Sequence, residues 1–565
     1  MKQNKIMVGI IALIALVFFV NLLVPSGKVD NWKYSGGGGM DSFGTVVQSI
    51  GGGIMSKSGS FAAEASMGGS IGFSAGGAKD INNFRENIEN GYFPMLTDIT
   101  YEGLFYDYYF ETGQEDKCDE LFCPSYSYAI SKDPFSGEDE YYLSVGLNSG
   151  IKESDFARKK LNLIVVLDIS GSMTSSFDRY YYDQFGNEVI NEEEMRKSKM
   201  EVAKEAIVDL LGHLEDDDRF GMVLFDDSAY LAKPMSKVSD TDMGAIEDHI
   251  MELSPQGGTN MESGMKMGTQ QFKELLFVDT TEYENRIIFL TDAMPNTGRV
   301  DKDSLIGMAK DNADDKIFTT FIGIGVDFNT ELIEHMTKIK GANYYSVHNS
   351  KEFKERMDEG FEYMVTPLVF DLKLVLEADG YEIEKVYGSP EADEATGEIM
   401  KVNTLFPSKS EDGEVKGGIV VLKLKKTSAS GELKLKVSYE DREGNKESDE
   451  KEVEFGDSDA DYFQNKGIRK GVLLARYANL MKNWIYDERN ERVVFNPTVN
   501  SDDGIVVPEF SMLGRWERQS VDLKVSNSYE ELFEEFIEYF EEEMEEIGDD
   551  SLKKEVEVMG RLVGE

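Results

Sequence analysis

Between Lys160 and Thr366, short and nearly uninterrupted apolar runs alternate with longer stretches of helical period. Leu161–Leu167 (LNLIVVL), Phe220–Phe225 (FGMVLF), Ile287–Leu290 and Ile317–Val326 (IFTTFIGIGV) read as buried strands. Between the first two, Ala203, Ala206, Ile207, Leu210, Leu211 and Leu214 mark one face of a helix. A capping box, Ser198-x-x-Glu201, opens that helix. Ile246–Leu253, Met261–Leu276, Leu305–Asp311 and Thr330–Lys340 carry the same helical signal. Strands without a polar face, alternating with helices, predict a parallel sheet covered on both sides. The expected fold is an α/β, doubly wound, Rossmann-like domain. Thr174–Lys197 interrupts the first crossover, and Phe185-Gly186-Asn187 within it predicts a hairpin turn.

On either side the period changes. Beyond Pro367, Phe370, Leu372, Leu374 and Leu376 alternate with Asp371, Lys373 and Glu377. Leu433, Leu435, Val437 and Tyr439 alternate in the same way, with GGIVVLKLKK between the two runs. This predicts an antiparallel, sandwich-like β module. From Asp459 the pattern is helical again, with Val472, Leu473, Tyr477, Leu480, Met481 and Trp484 on one face. A second helix is expected from Ser528 to Ile547, capped by Ser528 and Glu531, with a solvated face of glutamates. Upstream, Ile81–Asn90 predicts a helix and the aromatic stretch Thr100–Phe110 predicts a strand. The flanking strands each have an apolar face to cover. They are therefore expected to complete one sandwich, with the α/β domain inserted into it and its ligand face turned away from the N-terminal tether.

That tether begins with Ile6–Val24, 19 residues without a charge and with Asn21 as the one polar side chain. A run of this length spans a bilayer core. A cleaved signal peptide has a shorter apolar run and a small-x-small cleavage site, and neither is seen here. Lys2 and Lys5 ahead of the run favour a single-pass protein with a cytoplasmic N-terminus and an extracytoplasmic, cell-surface body. The expected plan is a tail and transmembrane anchor (1–25), a Gly/Ser-rich linker (26–79), an N-terminal flanking segment (80–159), the α/β domain (160–366), the β module (367–456) and a helical C-terminal region (457–565).

Composition narrows the partners. The 565 residues include 59 Lys and Arg against 107 Asp and Glu, a formal net charge of −48. Nucleic acid is excluded as a partner, because phosphate recognition needs a basic footprint. With 41% apolar residues, the chain is no disordered acidic tail. The two cysteines, Cys118 and Cys123, lack the further ligands of a zinc site. Outside the cytoplasm a small-loop disulfide between them is the expectation. The four histidines are scattered, and neither a Cys/His couple nor a Gly-x-Ser-x-Gly is present. The reading is of a protein that is not an enzyme.

Candidate chemistry gathers where strands end. Asp168-Ile169-Ser170-Gly171-Ser172 follows the first buried strand, Gly257-Gly258-Thr259-Asn260 opens a helix, and Leu290-Thr291-Asp292 closes a later strand. Ligands of open parallel sheets bind beyond the carboxyl ends of strands. Two carboxylates and three hydroxyls, all hard oxygens, suit a divalent cation: Mg²⁺ first, with Mn²⁺ and Ca²⁺ as alternatives. In order and context, Asp168, Ser170, Ser172, Thr259 and Asp292 resemble the metal-ion-dependent adhesion site (MIDAS) of von Willebrand factor type A (VWA) domains. The resemblance covers about Lys160 to Thr366. It implies direct metal contacts from Ser170, Ser172 and Thr259, with Asp168 and Asp292 acting largely through waters. The wider arrangement is similar to prokaryotic membrane-anchored surface proteins that carry this domain. The implied function is binding of a protein or glycan ligand that offers a carboxylate to the metal. The rival reading is a type A subunit of an intracellular assembly working beside an AAA+ type ATPase, and topology separates the two.

Overall fold

The computed structural model describes residues 28–35, 70–75, 81–114, 119–175, 197–273, 281–292, 302–324, 339–347, 353–495 and 522–564, apart from 95, 97, 355, 356, 359, 390, 429, 430 and 457–460. Among the described residues no helix is long and apolar enough to cross a membrane. The apolar run 6–24, the hairpin expected within 174–197 and the helix expected at 330–340 lie outside them, wholly or nearly so.

The N-terminal flank holds strands β1 (Ser70–Ala75), β2 (Tyr109–Phe110), β3 (Cys123–Lys132) and β4 (Asp139–Lys152), and helices α1 (Asn82–Glu89) and α2 (Tyr101–Tyr106). Helix α2 corrects the strand expected at Thr100–Phe110. The Thr100 side chain caps it by accepting from the Gly103 N–H. Leu104, Phe105 and Tyr108 are buried in one cluster that Tyr101 packs against. Their spacing of three and four residues is helical, and aromatic content alone misleads here.

The α/β domain follows, with β5 (Lys160–Asp168), β6 (Arg219–Phe225), β7 (Ala229–Lys237), β8 (Tyr283–Thr291), β9 (Ile317–Ile324) and β10 (Asn343–Val347). Its helices are α3 (Lys199–Leu211), α4 (Met243–Met251), α5 (Met261–Gln270), α6 (Lys302–Asp314) and α7 (Phe361–Val365). Both halves of the Ser198/Glu201 capping box form at the start of α3. The sheet order is β10-β9-β8-β5-β6-β7, parallel except for β7, which runs antiparallel along the edge. With Lys233 and Pro234 in its middle, β7 lacks the apolar run that marks its neighbours, and Pro is tolerated at an edge. Successive residues of β5 enter opposite cores: Leu163, Val165 and Leu167 pack on one face, Ile164 and Val166 on the other. The chain leaves β5 toward β6 on one side, and β8 lies on the other. The carboxyl ends of β5 and β8 therefore flank a switch point, where such sheets open a crevice.

The second flank supplies β11 (Val369–Asp379), β12 (Tyr381–Tyr387), β13 (Glu398–Ser408), β14 (Ser410–Glu411), β15 (Glu414–Lys416), β16 (Ile419–Lys426), β17 (Glu432–Glu440), β18 (Lys446–Val453) and β19 (Tyr462–Phe463). It ends in helices α8 (Lys466–Phe495), α9 (Asn527–Ile547) and α10 (Lys553–Leu562). Ten of the strands make one antiparallel sheet, β12-β16-β4-β1-β13-β11-β17-β18, with β3 on the other edge of β4 and β19 beside β3. Strands from before and after the α/β domain thus pair directly, β4 with β16 and β1 with β13. Tyr141–Gly146 of β4 pair with β16, while Asn148 and Lys152 pair with β1. Leu143, Val145 and Leu422 share one buried cluster with Leu374, Met400 and Leu435 from the far half. A sheet whose halves share an apolar core is folded on itself as a sandwich. The opposite face of β4 and β16, with Tyr142, Ile419 and Val421, packs against α8, α9 and α10. Strand β1 lies in the middle of this sheet, although its residues fall in the Gly/Ser-rich stretch that reads as a linker.

Helix α9 starts earlier than the Ser528/Glu531 box predicts. Ser526 is its N-cap residue, makes no side-chain cap bond, and has its own N–H held by Glu488 of α8 at 2.9 Å. A tertiary partner replaces the local cap. The α/β domain meets the sandwich at the amino ends of its strands: Arg442, beyond β17, reaches Glu284 of β8 at 2.9 Å, and Glu284 also pairs with buried Arg286 at 2.6 Å. The carboxyl ends of β5 and β8 are left at the opposite side of the domain.

Candidate functional site

Strand β5 ends on Asp168, which is fully buried. Its Oδ1 accepts from the Ser170 N–H at 2.8 Å and its Oδ2 from the Thr291 hydroxyl at 2.6 Å. The chain then enters a short 3-10 turn, Gly171–Thr174, with Ser170 at its N-cap. The Ser172 hydroxyl lies 2.9 Å from that of Ser170 and donates to Asp292 Oδ1 at 3.0 Å. Asp292, also fully buried, directly follows β8. Its Oδ2 is 3.3 Å from the Lys199 ammonium, in a buried ion pair.

Thr259 arrives on a third segment. The Gln256 N–H donates to the Ile169 carbonyl at 2.6 Å, and the Gly171 N–H donates to the Gly257 carbonyl at 3.0 Å. These two bonds dock the Gln256–Thr259 loop onto the Asp168–Ser172 loop. Gly257 is needed there: its φ is +69°, and a Cβ would stand 2.9 Å from Asp227 Oδ2 and 3.1 Å from Asp226 Cβ. Thr259 is fully buried, and Asn260 caps α5 by accepting from the Ser263 N–H at 3.1 Å. The five residues singled out in the sequence therefore sit on three adjoining segments at one end of the sheet.

The electrostatics of this end are unbalanced. Burial, and then the charge of Asp292, push the Asp168 carboxyl up to about 7. Among the described residues, two carboxylates share the site with one ammonium. Among the described residues no group of three or more His, Cys, Asp and Glu is placed to hold a metal. The donor set here is instead two carboxylates with hydroxyls, which suits a hard cation that keeps some of its waters.

Several residues of this end escape a sequence reading. Thr291 is visible only as the neighbour of Asp292. Lys199 carries a signal: it precedes Val202, Ala203 and Ala206 at helical spacing, so a charged residue falls on a buried face. Gln256 and Tyr34 carry none beyond the aromatic pair Trp32 and Tyr34. Residues 28–35 lie along β7: Val29, nearer the apolar run, bonds Asp240 and Asp242 beyond the end of β7, where β7 pairs with the start of β6, and Tyr34 ends beside Gln256. The tether-proximal end of the segment thus lies at the amino end of the sheet, away from the ligand end, as expected from the sequence, and its far end reaches the site loops. Cys123 begins β3, while Cys118 lies outside the described residues.

Residues 163–294 match the family model of the von Willebrand factor type A domain. This chain contains a type A domain. An uncharacterized protein of Synechocystis sp. is 25% identical over 220 residues, covering 39% of this chain and 45% of the relative. The human inter-alpha-trypsin inhibitor heavy chain H1 is 23% identical over 224 residues, 39% of this chain and 22% of the relative. The matches thus span less than half the length of these relatives. Among solved structures, the von Willebrand factor type A protein from Catenulispora acidiphila is 16% identical, with a TM-score of 0.37 over 66% of this chain and 82% of that one. The ArnB paralog VWA2 from Sulfolobus acidocaldarius is 12% identical, with a TM-score of 0.32 over 78% of this chain and 97% of that one. The type A domain points to protein interaction or adhesion.

Proposed function

We propose that the type A domain holds a divalent cation and through it binds an acidic group on a protein or glycan partner, on a body held outside the cytoplasm by residues 6–24. The observation that supports this most is the convergence of Asp168, Asp292, Ser170 and Ser172 in a buried site with Lys199 as counter-charge. Among the described residues one ammonium, that of Lys199, pairs with these two carboxylates, a balance that favours a further cation. In this reading Ser170, Ser172 and Thr259 hold the ion directly. Asp168, fixed by the Ser170 N–H and Thr291, and Asp292, fixed by Lys199, act largely through waters. A bound hard cation such as Mg²⁺ supplies an electron-poor position for a carboxylate. Because hydroxyls are its direct ligands, little of its charge is spent on the protein, which leaves it for the partner. Nothing in the donor set pairs a nucleophile with a base, so the site is read as one of binding and not of turnover. The same proposal includes the unit boundaries at 160 and 366, the Cys118–Cys123 disulfide ahead of β3, and a cytoplasmic N-terminus.

Calorimetric titration of the full-length protein with Mg²⁺ and Mn²⁺ tests the site. Wild type is expected to bind one equivalent. Thr259→Ala is expected to bind none, with circular dichroism unchanged, and wild-type affinity in that variant refutes the site. Protease shaving of intact cells tests the topology: cleavage of the body is expected, whereas protection until lysis refutes it in favour of the intracellular assembly.

A further inference from the structure

Residues 28–35 follow the apolar run directly and lie along β7, the edge strand of the type A sheet. An open edge invites pairing with other chains. Here the chain covers its own edge. The Lys33 N–H donates to the Ala232 carbonyl at 2.7 Å, the Val29 N–H to Asp240 at 2.9 Å, and the Asp242 N–H back to Val29 at 3.0 Å. Side chains make the seat specific. Trp32 stacks on His249 with centroids 5.3 Å apart and planes 12° from parallel. Asp30 Oδ2 lies 3.0 Å from His249 Nε2, and Asn31 Nδ2 donates to the Ser236 hydroxyl at 3.0 Å.

The far end of this segment reaches the site loops. Tyr34 packs edge-on against Tyr230, with centroids 5.4 Å apart, and its hydroxyl accepts from Gln256 Nε2 at 2.9 Å. The same amide nitrogen lies 3.2 Å from Asp226 Oδ2. Gln256 is the residue whose backbone N–H holds the carbonyl of Ile169, between Asp168 and Ser170. One residue thus bonds both the N-terminal segment and the loop that begins the candidate metal site.

We propose that Lys28–Ser35 is a latch, and that Tyr34 is a positioning residue of the site, acting through Gln256 on the loop that carries Thr259. With the latch seated, the Gln256 amide has two acceptors in fixed places, and the Gln256–Thr259 loop is held in register with Asp168–Ser172. With the latch lifted, water replaces one acceptor and the side chain regains its rotamers. Anything that draws the N-terminal segment off β7, such as a pull on the tether, then loosens the site. The effect on ion affinity rests on the metal reading above; the effect on loop order does not.

Hydrogen exchange on the full-length protein separates the two. Tyr34→Phe removes the acceptor and keeps the ring; Trp32→Ala frees the segment from His249. Both are expected to speed exchange of the Gln256 and Gly171 amides, about three- to tenfold for the loss of one hydrogen bond. The thermal midpoint of Tyr34→Phe stays at the wild-type value, and its Mn²⁺ affinity falls by a similar factor. Wild-type exchange rates at both amides in both variants overturn the latch. If wild type itself takes up no Mn²⁺ in the same titration, the metal reading fails, and the exchange rates still decide the latch.

Discussion

Two buried charge clusters in this chain are built from the same side-chain types and balance differently. One joins the flanks. Arg85 of α1 pairs with Asp107 at 2.7 Å and with fully buried Glu555 of α10, which also accepts from the Tyr108 hydroxyl at 2.6 Å. Lys554 completes the set by pairing with Asp107. Two carboxylates thus face two cations. The other cluster is the type A site, where, among the described residues, two carboxylates face the Lys199 ammonium. The titration of the acids follows the count. Burial raises Asp107, but the charges of Arg85 and Lys554 outweigh it and hold the carboxyl down at about 2. Burial and a second carboxylate push Asp168 up to about 7. A cluster that neutralises itself ties elements together. In the cluster with fewer cations among the described residues, one carboxyl is pushed up instead, and the proposed cation would supply the missing charge.

The sharpest break between the two is a loss of function against a loss of fold. Asp168→Ala is expected to eliminate measurable Mn²⁺ binding by calorimetry while the metal-free protein still folds, because the relief of a carboxylate that burial disfavours offsets part of the loss of its bonds to the Ser170 N–H and the Thr291 hydroxyl. Unchanged Mn²⁺ affinity in this variant would sink the metal site. Glu555→Ala is expected to do the reverse. It leaves the Arg85 guanidinium to Asp107 and takes the acceptor from the Tyr108 hydroxyl, and is expected to cost about 2–4 kcal/mol in denaturant unfolding. Mn²⁺ affinity is expected to stay at the wild-type value, because the clasp binds the flanks and touches no site loop.

The sequence makes these regions unequally legible. The site end was readable because its residues lie close to strand ends in local motifs: Asp168-x-Ser170-x-Ser172 occupies one loop, and Thr259 and Asp292 mark two others. The sheet was readable because β5, β6 and β9 are apolar on both faces. The clasp was not readable, since Arg85 and Glu555 are 470 residues apart and nothing local marks either as buried. Strand β7 is not legible, because an edge strand with Lys233 and Pro234 has no continuous apolar run. Helix α2 is hidden because the aromatic content of Thr100–Phe110 suggests a strand, while Leu104, Phe105 and Tyr108 recur at helical spacing. Lys199 could have been read, as a charge on the apolar face of a capped helix, but its meaning depends on Asp292, 93 residues away.

Lys199 also offers a graded way to shift the balance of the site. Its ammonium competes for the charge of Asp292 with any cation that binds. Lys199→Met keeps the length and loses the charge. It is expected to raise Mn²⁺ affinity about tenfold, the order of effect that one charge within a few ångströms has on its neighbours. Calorimetry reads the change directly, and a fall in affinity would show that Lys199 supports the ion and does not oppose it.

The smallest expected effect is the pH dependence of the clasp. The Asp107 carboxyl is held at about 2 in the folded chain, against 3.8 for the ordinary group. Below its ordinary value the unfolded chain takes up a proton that the folded chain resists, so the unfolded state binds more protons in this window. Stability from the Arg85 and Lys554 pairs is therefore fully present above pH 4 and is lost as pH falls from about 4 toward about 2. Asp107→Asn cannot titrate there. The difference in unfolding midpoint between wild type and Asp107→Asn is expected to be constant from pH 7 down to about 5 and to shrink below about 4. A difference that holds constant down to pH 2 would mean that Asp107 contributes by packing and hydrogen bonding, with no net gain from its charge.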